Sequence, residues 1–441
     1  MRSIVLLMAI VTALGVTIVY PFAGVILWTW FTVQNPHEEA YGFAQTLPLN
    51  MAIAAVTIAA WLFSREQKLP PMRFLIWVIV IFLAWTTFNS FFAFSPVWSW
   101  PFWDRTWKIF ALGLLVATLA TNQTRINAII WTVVISLFYY GVKGGIFTLV
   151  TGGNFHVIGP EHTIIGDNNQ LALALLMALP LANYLRTESA HKFISWGLLA
   201  GMALTLVSVI GSYSRGGLIA LGALAIAAWI RSKRKIVYAA MAATVLIGAL
   251  NFMPAAFWDR VGTIQSATDD ASVHGRLVAW QVAYRYANDH FPFGAGFYGP
   301  QLAGIFHSYF PTEEPHAAHS IYFQVLGEQG YIGLFVYLLI ILGALFKCWQ
   351  IGRLARRRPD LAWAANLAQM ILMSLIAFCV GGSALSMAYY DVFVLCIALL
   401  VPLEALVTER TLASVRIGSR TGPAATVARR RTAVEPRYSD V

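Results

Sequence analysis

Charged side chains are scarce in this chain, so the few that interrupt apolar sequence are the first candidates for chemistry. Arg215 opens the stretch RGGLIALGALAIAAWI, in which fifteen uncharged residues follow it. A charge at membrane depth costs about 2.5 to 3.5 kcal/mol, so such a residue is usually paired, extended toward the lipid headgroups, or functional. Histidine is the other candidate, because imidazole serves as acid, base or ligand near neutral pH.

The elements that must position these residues are membrane-spanning helices. Of the 441 residues, 59% are hydrophobic and 11% are charged, and the mean hydropathy of +0.66 is far above that of a soluble chain. We therefore expect an all-α integral membrane protein with about 12 transmembrane helices, each crossing a core about 30 Å thick. The first stretch, 3–33, is one broken crossing or a hairpin, because Pro21 interrupts it. The other predicted spans are 48–63, 73–92, 107–121, 126–150, 168–185, 193–211, 215–230, 235–252, 329–346, 361–381 and 385–407.

Lysine and arginine fall mainly in alternate loops, the pattern that marks the cytoplasmic side. Together with Arg2, these loops hold 23 of the 30 basic residues, so the net charge of +10 indicates a positive-inside bias rather than nucleic-acid binding. Both termini are then cytoplasmic. Chemistry on the outer face is indicated by the histidines assigned to outer loops, although polar residues collect in long loops anyway. These are His37, His156, His162, His274, His290, His307, His316 and His319.

This topology divides the chain into four regions. They are N-terminal transmembrane helices over 1–252, a large periplasmic loop over 253–318, C-terminal transmembrane helices over 319–407, and a basic cytoplasmic tail over 408–441 that we expect to be disordered. The loop is too long for a simple connector. Within it, GRLVAWQVAYRYANDH (275–290) predicts an amphipathic helix at the membrane interface, with Leu277, Trp280, Val282 or Ala283, and Tyr284 on its apolar side.

Several familiar chemistries lack their motifs. The sequence has no Gly-rich phosphate loop followed by lysine and no dinucleotide-binding fingerprint, so nucleotide use is not expected. The acidic pairs 269–270 and 313–314 have no third ligand at a spacing that completes a hard-cation site. His316 and His319 lack the glutamate of a zinc-protease motif. We therefore expect no cofactor, no metal and no nucleic-acid partner.

The stretch HAAHSIYFQVLGEQGYIGL (316–334) is the most informative in the chain. From His319 it carries His-Ser-x-Tyr-x-Gln-x-Leu-x-Glu-x-Gly-x-x-Gly-Leu, which resembles the signature of the O-antigen ligase and polymerase superfamily. SRGG at 214–217, and an Arg-x-x-x-Trp helix followed by FPFGAGF over 275–297, resemble two further pieces of that family in the right order. Together these pieces cover roughly 190–400, with one departure at Ser320, where many members have Asn.

The N-terminal half resembles one branch of the same superfamily, the O-glycosylation ligases. The resemblance is carried by NPHEEAYGFA at 35–44 and GDNNQLALALLMALPL at 166–181. It implies a GT-C-like glycosyltransferase in the inner membrane of a Gram-negative bacterium, with its active site facing the periplasm. A glycan carried on undecaprenyl pyrophosphate would be transferred to an acceptor, which for the ligases is the lipid A-core oligosaccharide.

Three alternatives to an O-antigen ligase stay open. An O-antigen polymerase and a protein O-glycosylation ligase would use the same donor, so only product analysis separates them. A transporter of lipid-linked glycans would also need outer cationic residues, but it should show inverted repeats or paired broken helices, and the sequence has none. The donor sugar, the acceptor and the oligomeric state are not encoded in any motif.

Under that resemblance, Arg215 and Arg276 are the expected pyrophosphate ligands, with Lys108 as a minor one. A guanidinium stays protonated and binds two phosphate oxygens at once, so it stabilises the charge that develops as the anomeric bond breaks. Gly216 and Gly217 would leave room for the substrate. The simpler interpretations are that Arg215 extends to lipid phosphates, that Arg276 is solvated, and that Lys108 anchors its helix at the aromatic belt.

His319 is the expected catalytic base in a single, inverting and metal-free displacement. A neutral imidazole is suited to take the proton of the attacking sugar hydroxyl. The alternatives are that His319 binds phosphate as an imidazolium, or that it bonds a backbone carbonyl at the start of its helix. Possible accessory residues are Tyr213, His316, Glu161, His162 and Asn169.

Overall fold

The computed structural model describes residues 1–420, apart from 41, 233, 256 and 259–270. These residues form helices joined by short loops, and no strand occurs among them. The helices are α1 (Arg2–Val19), α2 (Pro21–Gln34), α3 (Pro36–Ala40), α4 (Leu49–Phe63), α5 (Phe74–Phe91), α6 (Pro96–Leu119), α7 (Gln123–Val150), α8 (Asn168–Glu188), α9 (Lys192–Gly211), α10 (Arg215–Arg231), α11 (Lys235–Phe252), α12 (Ala271–Asp289), α13 (Ala303–Tyr309), α14 (Ile321–Ala355), α15 (Ala362–Gly381) and α16 (Asp391–Arg420).

Seven of the helices in the described residues are long and apolar enough to cross a membrane. Their presence confirms an all-helical integral membrane protein. The helices at two other predicted spans are shorter than these seven, because α4 has 15 residues and α10 has 17. The figure of about twelve crossings therefore stays a prediction. The seven spans are Arg2–Val19, Phe74–Phe91, Gln123–Val150, Lys192–Gly211, Ile321–Ala355, Pro359–Ala384 and Asp391–Ala413.

The centre of the bundle is built on α8, which is buried along nearly its whole length. Between its polar first turn and Arg186 it is made almost entirely of alanine and leucine, and a helix that is apolar on all sides is typically surrounded by other helices. It packs against α7, α9, α10 and α15. The first residues of α8 are consequently held in place by several neighbours.

The N-terminal stretch is a hairpin of α1 and α2, which settles one of the alternatives left open by Pro21. Proline has no amide hydrogen to continue the first helix, and it begins α2 at the position where that loss is harmless. At one end, the Ser3 hydroxyl lies 3.5 Å from the carbonyl oxygen of Ala40. At the turn, Tyr20 shares a cleft with Arg125, at the opposite end of the bundle.

Arg2 therefore lies at the end of the bundle opposite Arg125, and assigning it to the same side as the other basic loops was wrong. The Tyr140 hydroxyl donates to the carbonyl of Gln34, and the loop after α7 contacts Tyr213, so α1 begins at the end that also carries Arg215 and His319. The distribution of basic residues gave the wrong side for Arg2 because it does not take account of the turn at Pro21. The start of α1 and the start of α16 thus lie at the same end of the bundle, and α16 runs from there toward the opposite end.

A cysteine-labelling experiment checks this arrangement. Cysteine at position 2 or at Ser308 should react with a membrane-impermeant maleimide in intact cells, whereas cysteine at Ser232, at the far end of α10, should not. The native cysteines are buried or half-buried, and the unsubstituted protein measures their background labelling. Labelling of the Arg2→Cys and Ser232→Cys variants from the same side would contradict the hairpin. Labelling of Ser232→Cys alone would reverse the orientation of the whole protein.

The predicted amphipathic helix is present as α12, and its buried face agrees only in part with the expected one. Val278, Val282 and Tyr286 are buried, whereas Leu277 and Tyr284 are 45% and 51% exposed. The helix packs on α14 and α13, and this contact selects the stripe at i, i+4 and i+8. Val282 and Ala283 are thus buried as expected, whereas Leu277 and Tyr284 are not.

The C-terminal helix is longer than expected, because α16 continues to Arg420 rather than ending at 407. Glutamate, arginine, leucine and alanine over 409–413 are good helix formers, and the Thr408 and Thr411 hydroxyls donate to carbonyls one turn back. The prediction of a disordered tail is therefore wrong for 408–420. The remainder of that tail, 421–441, lies outside the described residues.

Candidate functional site

Helix α12 brings Arg276 to His319 through a neighbouring tryptophan. The indole nitrogen of Trp280 donates to the carbonyl oxygen of Ala318 at 2.6 Å, and its ring stacks on Phe323 at a centroid distance of 4.8 Å. Because Arg276 and Trp280 are one turn apart, they share one side of the helix. The Arg-x-x-x-Trp spacing thus fixes the guanidinium beside the residue that precedes His319.

His319 adopts a backbone conformation that few residues tolerate. Its φ is +43°, in the left-handed region, and its amide nitrogen donates to the Ser386 hydroxyl at 2.8 Å. Such conformations are costly for residues other than glycine and persist only where the surroundings hold them. The contacts of Trp280 with Ala318 and of Ser386 with His319 supply that restraint, so the imidazole leaves the chain in a fixed direction.

The half-buried imidazole of His319 lies in a largely cationic environment. Burial lowers its pKa from the ordinary value, and the positive charges of Arg276 and His316 lower it further, while Asp167 acts in the opposite direction. The ring of His316 lies against the start of α12, where a side chain added at Gly275 would meet it at 3.1 Å. The lowered pKa keeps His319 neutral at neutral pH, which is the form that accepts a proton.

Arg215 begins α10 beside the first turn of α8. The Ser214 hydroxyl caps α10 by accepting from the Gly217 amide at 2.9 Å and donates to the side-chain oxygen of Asn169 at 2.8 Å. Asn168 donates to the carbonyl of Ser212 at 2.6 Å. These bonds tie two helix N-termini together, and the half-buried Arg215 projects from that junction.

The loop between α15 and α16 joins the two groups. Its Ser386 contacts His319, and its Ala384 is the neighbour that a side chain at Gly216 would meet, at 3.9 Å. Gly216 therefore has room beside it, as expected. Gly217 does not, because a side chain there would lie 2.9 Å from Ala172, so this glycine serves close helix packing.

Three helices thus start at one place: α8, α10 and α14. Their first amide groups and the positive ends of their dipoles favour an anion, and Arg215 and Arg276 add full charges. Asn169 belongs to this group through Ser214, and His316 belongs to it through Gly275. The cluster, called the cationic site below, comprises Arg215, Arg276, His316, His319 and Asn169.

Tyr213 has a structural task next to this site. It is buried, its φ is +58°, and its hydroxyl donates to the carbonyl oxygen of Gly153 at 2.6 Å. The ring also lies against His156, at 4.3 Å between centroids. The tyrosine therefore holds the loop after α7 against the turn that leads into Arg215.

Three sequence candidates lie elsewhere. Glu161 and His162 line a separate groove together with Glu39. The ammonium group of Lys108 lies 2.5 Å from the Asp104 carboxylate on α6, a helix that packs mainly against α2, α5 and α16. The structure thus does not bring Lys108 together with the two arginines.

Two residues of the site were missed from the sequence. Asp167 caps α8, where its carboxylate accepts from the Asn169 amide at 2.8 Å, and it is the acidic neighbour of His319. An Asp directly before a polar first turn is a recognisable N-cap, so this signal was available. Ser386 gives no such signal, because only the fold brings it to His319.

The motif that begins at His319 continues into α14, which is kinked at Gly330, where φ is +68°. This kink explains the remaining residues of the motif. The segment after α12 docks there, with the Ala295 amide donating to the Gly327 carbonyl at 2.8 Å. The buried carboxylate of Glu328 accepts from the Tyr389 hydroxyl at 2.9 Å. The glycines and the glutamate therefore anchor the segment after α12 to α14, which stabilises the position of His319 just before the start of α14.

Among the described residues, no group of three or more His, Cys, Asp or Glu side chains is placed to hold a metal ion. Glu313 of one acidic pair lies 3.3 Å from His274. The other pair, at 269–270, lies outside the described residues.

The fold and site define a multi-pass helical membrane protein with arginines and a histidine gathered at one end of its bundle. Residues 200–338, which include Arg215, Arg276 and His319, match the O-antigen ligase family. This segment therefore carries an O-antigen ligase family domain, which is consistent with the O-antigen ligase-like superfamily that the sequence resembles and points to a glycosyltransferase-like ligase or polymerase acting on lipid-linked glycans. Residues 1–190 match a family of unknown function. No curated protein matches the chain.

Proposed function

We propose that this protein is an O-antigen ligase of the bacterial inner membrane. It transfers a polysaccharide from undecaprenyl pyrophosphate to the lipid A-core oligosaccharide on the periplasmic face. The observation that carries the proposal is the position of the half-buried His319 imidazole at the place where α8, α10 and α14 begin, where burial and Arg276 lower its pKa. A base next to an anion site is what transfer from a glycosyl pyrophosphate requires.

The reaction is a single displacement at the anomeric carbon. The acceptor hydroxyl oxygen forms a bond to that carbon as its proton passes to the ring nitrogen of His319. On the opposite face, the bond from the carbon to the pyrophosphate oxygen breaks and its electron pair leaves with the pyrophosphate. One displacement inverts the anomeric configuration, so the product linkage is opposite in sense to that of the donor.

The two arginines hold the leaving group. Arg215 and Arg276 bind the pyrophosphate oxygens, and their charge offsets the negative charge that grows as the bond breaks. The helix starts add aligned amide groups, and Gly216 leaves space for the approach of the diphosphate. The polyprenyl chain stays in the bilayer beside α10. With this charge supplied by the protein, transfer needs no metal ion.

Reconstitution tests the proposal. Purified protein in liposomes containing a lipid-linked O-antigen and lipid A-core, with a chelator present, should yield lipid A-core that carries the polysaccharide. The same donor offered with a second lipid-linked glycan or with an acceptor protein distinguishes the polymerase and the protein ligase. Transfer only to one of those acceptors would overturn the ligase assignment. Transfer lost in chelator and restored by magnesium would overturn the metal-free mechanism.

A further inference from the structure

A groove separate from the cationic site is built by the N-terminal part of the chain. It has a volume of about 900 Å³ and lies between α3, the end of α7 and the loop over 154–162. This is within the range of about 300 to 1,000 Å³ that is typical of ligand pockets. The lining includes Glu39, Lys143, Phe155 and Glu161.

We propose that this groove binds the acceptor as an uncharged, hydroxyl-rich saccharide. The assignment rests on the proposed transferase function and gives a task to the segment over 1–190. Its first support is the type of side chain. Carboxylates and amides accept and donate hydrogen bonds to several hydroxyls, and carboxylate bonds are the stronger ones. Phe155 is 62% exposed and offers an apolar ring face to the C–H groups of a sugar.

The second support is charge. Glu38, Glu39 and Glu161 line the groove, with Lys143 as the one lysine or arginine among its lining residues. That lysine is already 3.5 Å from the Glu39 carboxylate. The lining is thus negative overall, whereas the cationic site holds Arg215 and Arg276. A diphosphate or a phosphorylated sugar would meet like charge in the groove, so the two substrates sort to different places.

The third support is position. The groove wall is bonded to the turn that precedes Arg215: the Val157 amide donates to the Gly211 carbonyl at 3.0 Å, and the His156 ring lies 4.3 Å from Tyr213. The same loop leads through Gly166 to Asp167, the acidic neighbour of His319. The groove wall therefore adjoins the turn that carries Arg215, and the reacting hydroxyl is assigned to the end of the saccharide nearest that turn.

Direct binding measurements test the assignment. The probe is core oligosaccharide released from lipopolysaccharide by mild acid, titrated calorimetrically into the full-length protein before and after phosphatase treatment. We expect the dephosphorylated form to bind at least as tightly. Glu161→Gln and Phe155→Ala should each weaken it about tenfold, because each removes one contact to the sugar. Neither should change the affinity for undecaprenyl pyrophosphate.

Matched controls keep the result specific. Glu314→Gln changes an exposed glutamate outside the groove, and Phe193→Ala removes a phenylalanine that is 90% exposed at the opposite end of the bundle. Both should bind the probe as the wild type does. The inference is overturned if the wild type fails to bind at millimolar probe, if phosphorylated probe binds more tightly, or if the groove variants bind normally.

The same protein preparations distinguish failure of the groove from failure of the function. Groove variants that bind the probe normally in a protein that transfers glycan would refute the groove and leave the transferase intact. Binding that responds to Glu161→Gln and Phe155→Ala in a protein without transfer would refute the transferase and leave a saccharide site.

Discussion

Replacing His319 with alanine is expected to remove most glycan transfer while the protein still binds its donor. A general base contributes about 10² to 10⁴-fold to a rate, and it acts on the acceptor proton rather than on the lipid. We therefore expect transfer in the His319→Ala variant to fall by about that factor with little change in the affinity for undecaprenyl pyrophosphate. Reconstituted transfer rates and donor titrations of the same preparation measure the two effects.

The backbone of His319 requires a second variant as a control. Alanine at φ +43° is strained, so a loss of activity in His319→Ala alone could reflect a displaced chain. Asparagine tolerates the left-handed region and lacks the base, so His319→Asn should be equally inactive. Near wild-type transfer in either variant would refute the base.

The pH profile of the wild type supplies a further readout of the base. Since burial and Arg276 lower the pKa of His319 below its ordinary value of 6.5, more than half of the imidazole is neutral at pH 6.5. The acidic limb of kcat/KM, which reports the free enzyme, should therefore fall below pH 6.5 rather than at it.

The parts of the site that lie close in sequence were predictable. Arg276 and Trp280 are one helical turn apart, and the motif from His319 names the kink residues in order. Residues one helical turn apart lie on the same face of a helix, so this part of the site could be predicted without knowledge of the fold. The all-helical membrane fold was equally accessible, because composition alone excludes a soluble chain.

The parts that depend on contacts across the bundle were not predictable. Ser386 reaches His319 from 67 positions away, and Lys108 was a candidate only because its distance from the arginines was unknown. Leu277 and Tyr284 were assigned to the wrong face of α12 for the same reason, since α14 and not the lipid selects its buried stripe. Arg2 was misplaced because a single proline reverses the direction of the chain.

A substitution that keeps the positive charge but removes the planar guanidinium group tests the role of Arg215. Arg215→Lys keeps a cation at the start of α10 but loses the two parallel hydrogen bonds to a diphosphate. Removing one such stabilising group typically costs about 10² to 10³-fold in rate. We expect transfer to fall by about that factor and donor affinity to weaken with it, as measured in the assays used for His319.

Arg285→Lys is the matched control for that substitution. Arg285 is also on the outer segment, on α12, but its guanidinium lies 5.0 Å from the ring of Phe310, away from the cationic site. This variant should keep near wild-type transfer. If Arg215→Lys does so too, Arg215 only contacts lipid headgroups and the pyrophosphate is held elsewhere.

The two sets of variants together separate the roles of base and phosphate ligand. The variants at Arg215 and His319 should agree in being inactive and differ in donor affinity, because only the arginine is assigned to the pyrophosphate. Equal loss of donor binding in His319→Asn and Arg215→Lys would instead make His319 a phosphate ligand. The proton would then need another acceptor, and Asp167, the carboxylate beside His319, is the residue to substitute next.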